Sequence, residues 1–245
     1  MAIAPQFPEP SSWRLTVVGV IDITPAMRRI QVTAPELRDF RFLPGQDLSL
    51  AFVRDDGSTV RRRYTIRRFF ADRRLIELDF VLHGDGPGMR WAQSATAVAT
   101  IDAIGPRGKV TLDPKADWHL FAGDATAVPG ALAMIEALPP DVPARAFLQV
   151  DDATERQPFK ENDSIQQVTW HFGSGTSQTL VSALRETTLP DGRGHAYLAG
   201  EVALVLALKD SLLSRGWSPD QISAKAYWNR GRANAGNGEP EQRAT

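Results

Sequence analysis

Five arginines fall within eight positions of the segment RRRYTIRRFF: Arg61, Arg62, Arg63, Arg67 and Arg68. Guanidinium groups recognise phosphate and carboxylate through paired, charge-assisted hydrogen bonds. Tyr64 and Thr65, set among them, add a flat aromatic face and a hydroxyl donor. The whole chain has a formal net charge of −1, so this density of cations is local. On a strand, Arg61, Arg63, Thr65 and Arg67 share one face, and Arg62, Tyr64, Ile66 and Arg68 share the other. Bound to an anion, the segment is a phosphate site beside a ring-binding residue. Left in water, it is an edge strand whose charges keep it from pairing with other chains.

Two further stretches carry groups suited to ligand chemistry. His83-Gly84-Asp85-Gly86-Pro87-Gly88-Met89-Arg90-Trp91 follows a strand pattern and leads into a helix. Its glycines permit close backbone approach, and a helix N-terminus offers unpaired N–H groups to an anion; the same residues also suit a plain turn. Gly123-Asp124-Ala125-Thr126 lies in the equivalent position after a later strand, with Asp124 placed either to cap the helix or to meet a ligand. The dinucleotide fingerprint GxGxxG is absent. There is no cysteine, and the four histidines form no HExxH or close pair, so no metal site is expected. Balanced charge argues against bulk nucleic-acid binding. The run VALVLAL, 202–208, is too short to span a bilayer, and the N-terminus has no basic and apolar leader pattern, so the expectation is a cytoplasmic chain with no membrane partner.

The elements that must position these residues have two different rhythms. Up to about residue 110, segments rich in Val, Ile, Leu and Thr (13–23, 27–35, 47–53 and 74–84) are closed by Asp, Pro or Gly clusters. In the last of these, Ile76, Leu78, Phe80 and Leu82 alternate with Glu77, Asp79, Val81 and His83, the period of a half-buried strand. Several short strands with little helical pattern between them predict an antiparallel β-barrel. Beyond Gly105-Pro106-Arg107-Gly108, strands alternate with helical stretches at 127–138, 177–187 and 201–216, which predicts a parallel α/β sheet. The fold class is therefore a β-barrel plus an α/β domain. Expected bounds are 1–113 and 114–232, with a Gly-, Pro- and polar-rich flexible tail over 233–245.

In order along the chain, RRYTIRRF (62–69), LDFVLHGDGPGMRWA (78–92), GPRG (105–108), LFAGDATAVPGALAMIEALP (120–139), YLAGE (197–201) and AYWNRG (226–231) resemble the ferredoxin-reductase-like flavoproteins. Within that group they are most similar to the siderophore-interacting proteins, ferric-siderophore reductases of the vibriobactin-utilisation type. The resemblance implies a six-stranded FAD-binding barrel and an NAD(P)H-binding-like domain. It places Arg63 on the FAD pyrophosphate, Tyr64 against the isoalloxazine or ribityl region, Thr65 near flavin N5 and Arg67 at a second phosphate or adenine-side contact. His83, Gly84, Gly86, Pro87, Gly88, Met89 and Trp91 would wrap the pyrophosphate. Asp124 and Thr126, with Gly123, would line the flavin-facing cleft, and Gly200 and Glu201 the nicotinamide end. Tyr64 and Thr65 would be the residues nearest the chemistry.

The donor implied is NADPH or NADH bound transiently, or a ferredoxin. The substrate implied is an anionic, catecholate-like ferric siderophore met by Arg62, Arg107 and Arg230, with Arg61, Arg68 and Arg232 as further candidates. Met89 replaces a small or hydroxyl residue and so removes a hydroxyl contact to phosphate, and ATA (95–97) replaces a Pro-Gly-Asp turn; Ala125 removes a carboxylate and Asn229 stands where arginine is common, and these last two bear on donor and substrate preference. Two other readings remain open: a flavin or ferredoxin-type reductase without siderophore preference, and a non-catalytic module binding an acidic partner or RNA through 61–68.

Overall fold

A computed structural model describes residues 9–159, 165–173 and 177–230. The tail expected over 233–245 lies outside these residues, as does Arg232. The chain divides into two units with the main break between Leu112 and Asp113; the short stretch Leu132–Met134 groups with the first.

Six antiparallel strands close the first unit into a barrel. They are β1 (Ser11–Thr24), β2 (Met27–Thr33), β3 (Asp47–Val53), β4 (Thr59–Phe70), β5 (Leu75–Val81) and β6 (Thr100–Arg107), arranged in the order β1-β2-β5-β4-β3-β6. Period-two alternation builds the core: Leu48, Leu50 and Phe52 of β3 meet Ile76, Leu78 and Phe80 of β5 inside the barrel, with Leu15, Ile30, Val32 and Ile66. Each such side chain contributes about 1.5–3 kcal/mol of burial, which outweighs the weak intrinsic preference of any one strand. β5 departs from the half-buried expectation. Glu77 and Asp79, on its outer face, are each only 5% exposed because arginines cover them.

One short helix, α1 (Pro87–Ser94), follows β5. Pro87 opens it, where a missing N–H costs nothing. Arg28 of β2 donates to the carbonyls of Ala92 and Gln93 at its C-terminal end (3.2 and 3.0 Å) while also pairing with Asp22 (2.7 Å). A cation there satisfies orphan carbonyls and complements the helix dipole, so α1 is fixed at that end.

The second unit contains a five-stranded parallel sheet in the order β11-β10-β7-β8-β9: β7 (Trp118–Gly123), β8 (Ala144–Val150), β9 (Gln166–Phe172), β10 (Gly194–Glu201) and β11 (Ile222–Trp228). Its helices are α2 (Val128–Ile135), α3 (Ser177–Glu186) and α4 (Val202–Ser214). β7 is buried throughout, as expected of a central parallel strand covered on both faces. α2 is shorter than the pattern over 127–138 suggests; its last turn closes through Leu138 N–H to Ile135 C=O, and Pro139-Pro140 prevents continuation. Ser218-Pro219-Asp220-Gln221 forms a capped single turn leading into β11.

Candidate functional site

The arginine segment is β4, and its two halves have different partners. Thr59–Thr65 pair with β3, and Ile66–Phe70 pair with β5. Within the first half the alternation holds: Tyr64 packs toward the core side, and Arg63 and Thr65 lie on the outer face. There Arg63 Nε donates to Asp47 Oδ1 at 2.7 Å. Asp47 is 2% exposed and stands opposite Thr65 on one side and Arg107 of β6 on the other. Arg63 is therefore clamped to a buried carboxylate whose neighbours in register are Thr65 and Arg107. Being held through Nε fixes the plane of the Arg63 fork, and Nη2 reaches toward Gly108. Asp47 went unnoticed in the sequence reading. Its signal is a lone carboxylate heading the apolar run Leu48-Ser49-Leu50-Ala51-Phe52.

On the other face, Tyr64 joins Phe52, Phe80 and Trp91 in an aromatic cluster, with ring centroids 4.0 Å from Phe80 and 5.9 Å from Phe52. Burial pushes its phenol well above the ordinary range, so it stays neutral. Gly88 of α1 lies against it: a Cβ there would come within 2.1 Å of the Tyr64 hydroxyl oxygen. Only glycine lets the helix approach the phenol this closely. Trp91 packs the same cluster from the next turn of α1.

Preceding α1, His83, Gly84 and Gly86 are exposed, and Gly86 caps the helix with no side-chain hydrogen bond to the first turn; within that turn Pro87 and Met89 are half-buried. Space is open above this backbone, since a Cβ at Gly84 or Gly86 would meet no atom within 4 Å. An uncapped helix N-terminus under an open glycine surface fits a diphosphate, and a pinned guanidinium fork fits the same chemistry. Arg62, half-buried, has its guanidinium pulled below its ordinary value, first by burial and then by the neighbouring Arg54 cation. Arg67 is 2% exposed and lies in a buried group of charges with Asp79 (3.9 Å), at a distance from the open surface in chemical character if not in sequence.

The second unit presents its own constellation at the C-terminal ends of β7, β10 and β11. Asp124 Oδ1 accepts from the Thr126 N–H (2.9 Å) and hydroxyl (2.6 Å); Oδ2 accepts from the Glu201 N–H (2.7 Å) and Trp228 Nε1–H (2.9 Å). Gly200 has φ +132°, and a Cβ there would lie 2.6 Å from the Asp124 carboxylate, so glycine is required twice over. Glu201 caps α4 through the N–H groups of Ala203 (2.6 Å) and Leu204 (3.1 Å) and accepts from the exposed Arg230 N–H at 3.4 Å. Asp124, Thr126 and Glu201, singled out in the sequence, thus form one hydrogen-bonded unit with Trp228.

At the opposite strand ends lies a cluster that sequence reading did not assemble. Asp113 Oδ2 meets Arg193 Nη1 (2.7 Å) and His195 Nδ1 (3.1 Å), and His195 Nε2 meets Ser223 (3.0 Å). The Asp113 N–H donates to the Tyr197 hydroxyl at 2.7 Å, which lies 3.3 Å from His119 Nδ1. Burial lowers His119 to about 4, with the nearby His195 acting in the same direction.

Comparison with known proteins places both units in one family. Residues 116–231 match the family model described as siderophore-interacting protein, and residues 51–110 match the siderophore-interacting FAD-binding domain. The ferric vibriobactin reductase of Vibrio cholerae is 33% identical over 179 residues, covering 71% of this chain and 66% of that protein's length. The chain thus spans just under two thirds of that relative. A siderophore utilization protein from T. fusca superposes with TM-score 0.85 at 31% identity, covering 95% of this chain and 98% of that one. The siderophore-interacting protein from Aeromonas hydrophila gives TM-score 0.82 at 26% identity, over 92% and 94% of the two chains. With a closed barrel carrying the FAD-binding match and a parallel α/β unit carrying the second, the chain belongs to the siderophore-interacting protein family.

Proposed function

We propose that the protein is an FAD-dependent ferric-siderophore reductase that takes electrons from NADH or NADPH and releases Fe(II) from an anionic ferric siderophore in the cytoplasm. The observation that carries this reading is the Arg63 fork, clamped to buried Asp47 in the FAD-binding match, on a barrel whose α1 N-terminus is open and uncapped. Bound FAD supplies a ring that takes up a pair of electrons and gives them out singly. One NAD(P)H, losing two electrons and a proton, balances the reduction of two ferric ions.

The chain's own residues bind, orient and steer. Arg63 and the N–H groups opening α1 hold the diphosphate, and Asp47 keeps the fork from swinging away. Thr65 offers its hydroxyl toward the flavin ring on the same face, while the neutral Tyr64 phenol and Gly88 fix α1 against the barrel. Asp124, Thr126, Glu201 and Trp228 frame the strand ends where parallel α/β sheets take ligands. Arg62, Arg107 and Arg230 draw in an anionic substrate by charge. Oxygen ligands hold Fe(III) more tightly than Fe(II), so reduction frees the metal without breaking the chelator. The reading is supported by the 33% identity to a vibriobactin reductase.

Anaerobic titration tests cofactor and donor together. Purified protein is expected to take up FAD and to lose flavin absorbance when NADH or NADPH is added. Failure to take up FAD would remove the reductase reading; uptake of FAD with no bleaching by either nucleotide would replace NAD(P)H by another electron donor.

A further inference from the structure

Glu77 and Asp79 alternate along β5 with Ile76, Leu78 and Phe80, so they point away from the barrel core, yet each is only 5% exposed. Arg29 of β2 covers them: its Nε and Nη2 lie 2.7 and 2.9 Å from the two Asp79 carboxylate oxygens, and its Nη1 lies 3.1 Å from Glu77. Gln31 donates to Glu77 at 2.9 Å. The second cation is Arg67, 2% exposed and 3.9 Å from Asp79. Two arginines balance two carboxylates in a patch from which water is largely excluded. Removing one partner from such a group leaves an uncompensated buried charge, which is strongly destabilising.

Arg67 also occupies a special place in the backbone. Ile66 stands opposite Leu78 and Arg68 stands opposite Glu77, so Arg67 is the extra residue of a β-bulge. The bulge reverses the faces of β4: Ile66 points into the core before it, and Phe69 packs on the core after it. It lies where β4 exchanges its β3 partner for β5, immediately after Arg63-Tyr64-Thr65. A slip of one residue there would turn every one of those side chains to the opposite face.

We propose that Arg67 is a positioning residue for the FAD site: its guanidinium, buried with Asp79, holds the β4 bulge that sets the facing of Arg63, Tyr64 and Thr65, and it makes no contact with FAD. The inference rests on the reading that FAD occupies this barrel, and it replaces the second phosphate contact that the sequence resemblance implies for Arg67. Arg63 and Arg67 then have separate duties. Arg63 is held by one carboxylate at the open surface, whereas Arg67 is enclosed by a charge cluster on the covered side of β5.

A charge-balance rescue tests it. FAD affinity, by flavin fluorescence, and thermal stability of the apoprotein are measured for wild type, Arg67→Met, Glu77→Gln and the double variant. Arg67→Met should lower the melting temperature and weaken FAD binding about tenfold, the size of one charge-assisted hydrogen bond lost when Arg63 is turned away from the diphosphate. In the double variant one cation again faces one anion and Gln31 retains an acceptor, so stability and FAD affinity should both return to within about threefold of wild type in Kd, with an unchanged bound-flavin spectrum. If Arg67→Met alone does not fold, the double variant decides. The proposal is overturned if the double variant regains stability but not FAD affinity, if it fails to regain stability, or if Arg67→Met alone binds FAD as wild type does. Wild-type protein that binds no FAD would refute the flavin reading itself, and that result is seen before any variant is compared.

Discussion

Asp47 gives the arginine segment its meaning at the scale of single residues. Five cations in eight positions suit a solvated edge as well as an anion site, and composition cannot separate the two. The structure sorts them by partner: Arg63 is clamped to a buried carboxylate, Arg67 is enclosed with Asp79, and Arg62 is half-buried beside Arg54. Arg63→Ala should weaken FAD binding by roughly ten- to a hundredfold, corresponding to about 1.5–3 kcal/mol for a hydrogen bond to a charged group. Arg62→Ala should leave FAD in place and slow encounter with anionic substrate instead. Equal FAD loss in the two variants, measured by flavin release on dilution, would contradict the separation of faces. The Gly88–Tyr64 contact gives a second expectation. Gly88→Ala should lower stability by about 1–3 kcal/mol through overpacking, read as a drop in melting temperature, and Tyr64→Phe in the same chain should restore part of it.

At the level of elements, legibility followed the physics that sets each one. β3 spans 47–53, the segment marked out by the alternation of Leu48, Leu50 and Phe52, because local periodicity defines it. β5 was legible as a strand but not as a doubly covered one, since its main cover, Arg29, lies 50 residues from Asp79 along the chain. The β4 bulge was invisible for the same reason: it is a property of pairing, not of the segment. In the second unit, the resemblance places Asp124 and Glu201 at the cofactor cleft, and what sequence could not show is that the Asp124 carboxylate binds the Glu201 N–H and Trp228. Asp124→Ala strips acceptors from four donors at once. It should destabilise the α/β unit by on the order of 3 kcal/mol, with loss of the Trp228 environment in near-UV circular dichroism. A variant with wild-type stability would show that these hydrogen bonds are readily replaced by water.

For the molecule as a whole, the succession of a barrel and a parallel sheet was readable from the change of hydrophobic period near residue 110, because antiparallel and crossover-connected strands need different spacings. The polar cluster at the entry to the second unit was not, as it gathers Asp113, His119, Arg193, His195, Tyr197 and Ser223 from three strands and two loops. It makes stability depend on pH with a definite sign. Burial holds His119 at about 4 in the folded protein, below the ordinary value of 6.5. Between those values the unfolded chain binds a proton that the native state lacks, so stability is full above about pH 6.5 and falls as the pH is lowered toward 4. The loss amounts to about 3 kcal/mol, and His195, also lowered by burial, adds in the same direction. Chemical denaturation between pH 7 and pH 4 should show this slope, and His119→Gln should flatten it; an unchanged slope would place the acid sensitivity elsewhere.

We propose that reduced flavin in this barrel delivers electrons to siderophore-bound iron. Anaerobic stopped-flow tests it most directly: photoreduced, FAD-loaded protein is mixed with a ferric catecholate siderophore or with a simple ferric chelate, and flavin reoxidation is followed alongside capture of Fe(II) by a ferrous chelator. Reoxidation faster with the siderophore, with two Fe(II) captured per flavin, is the predicted result. Reoxidation no faster than with the simple chelate, or without Fe(II) release, would contradict it.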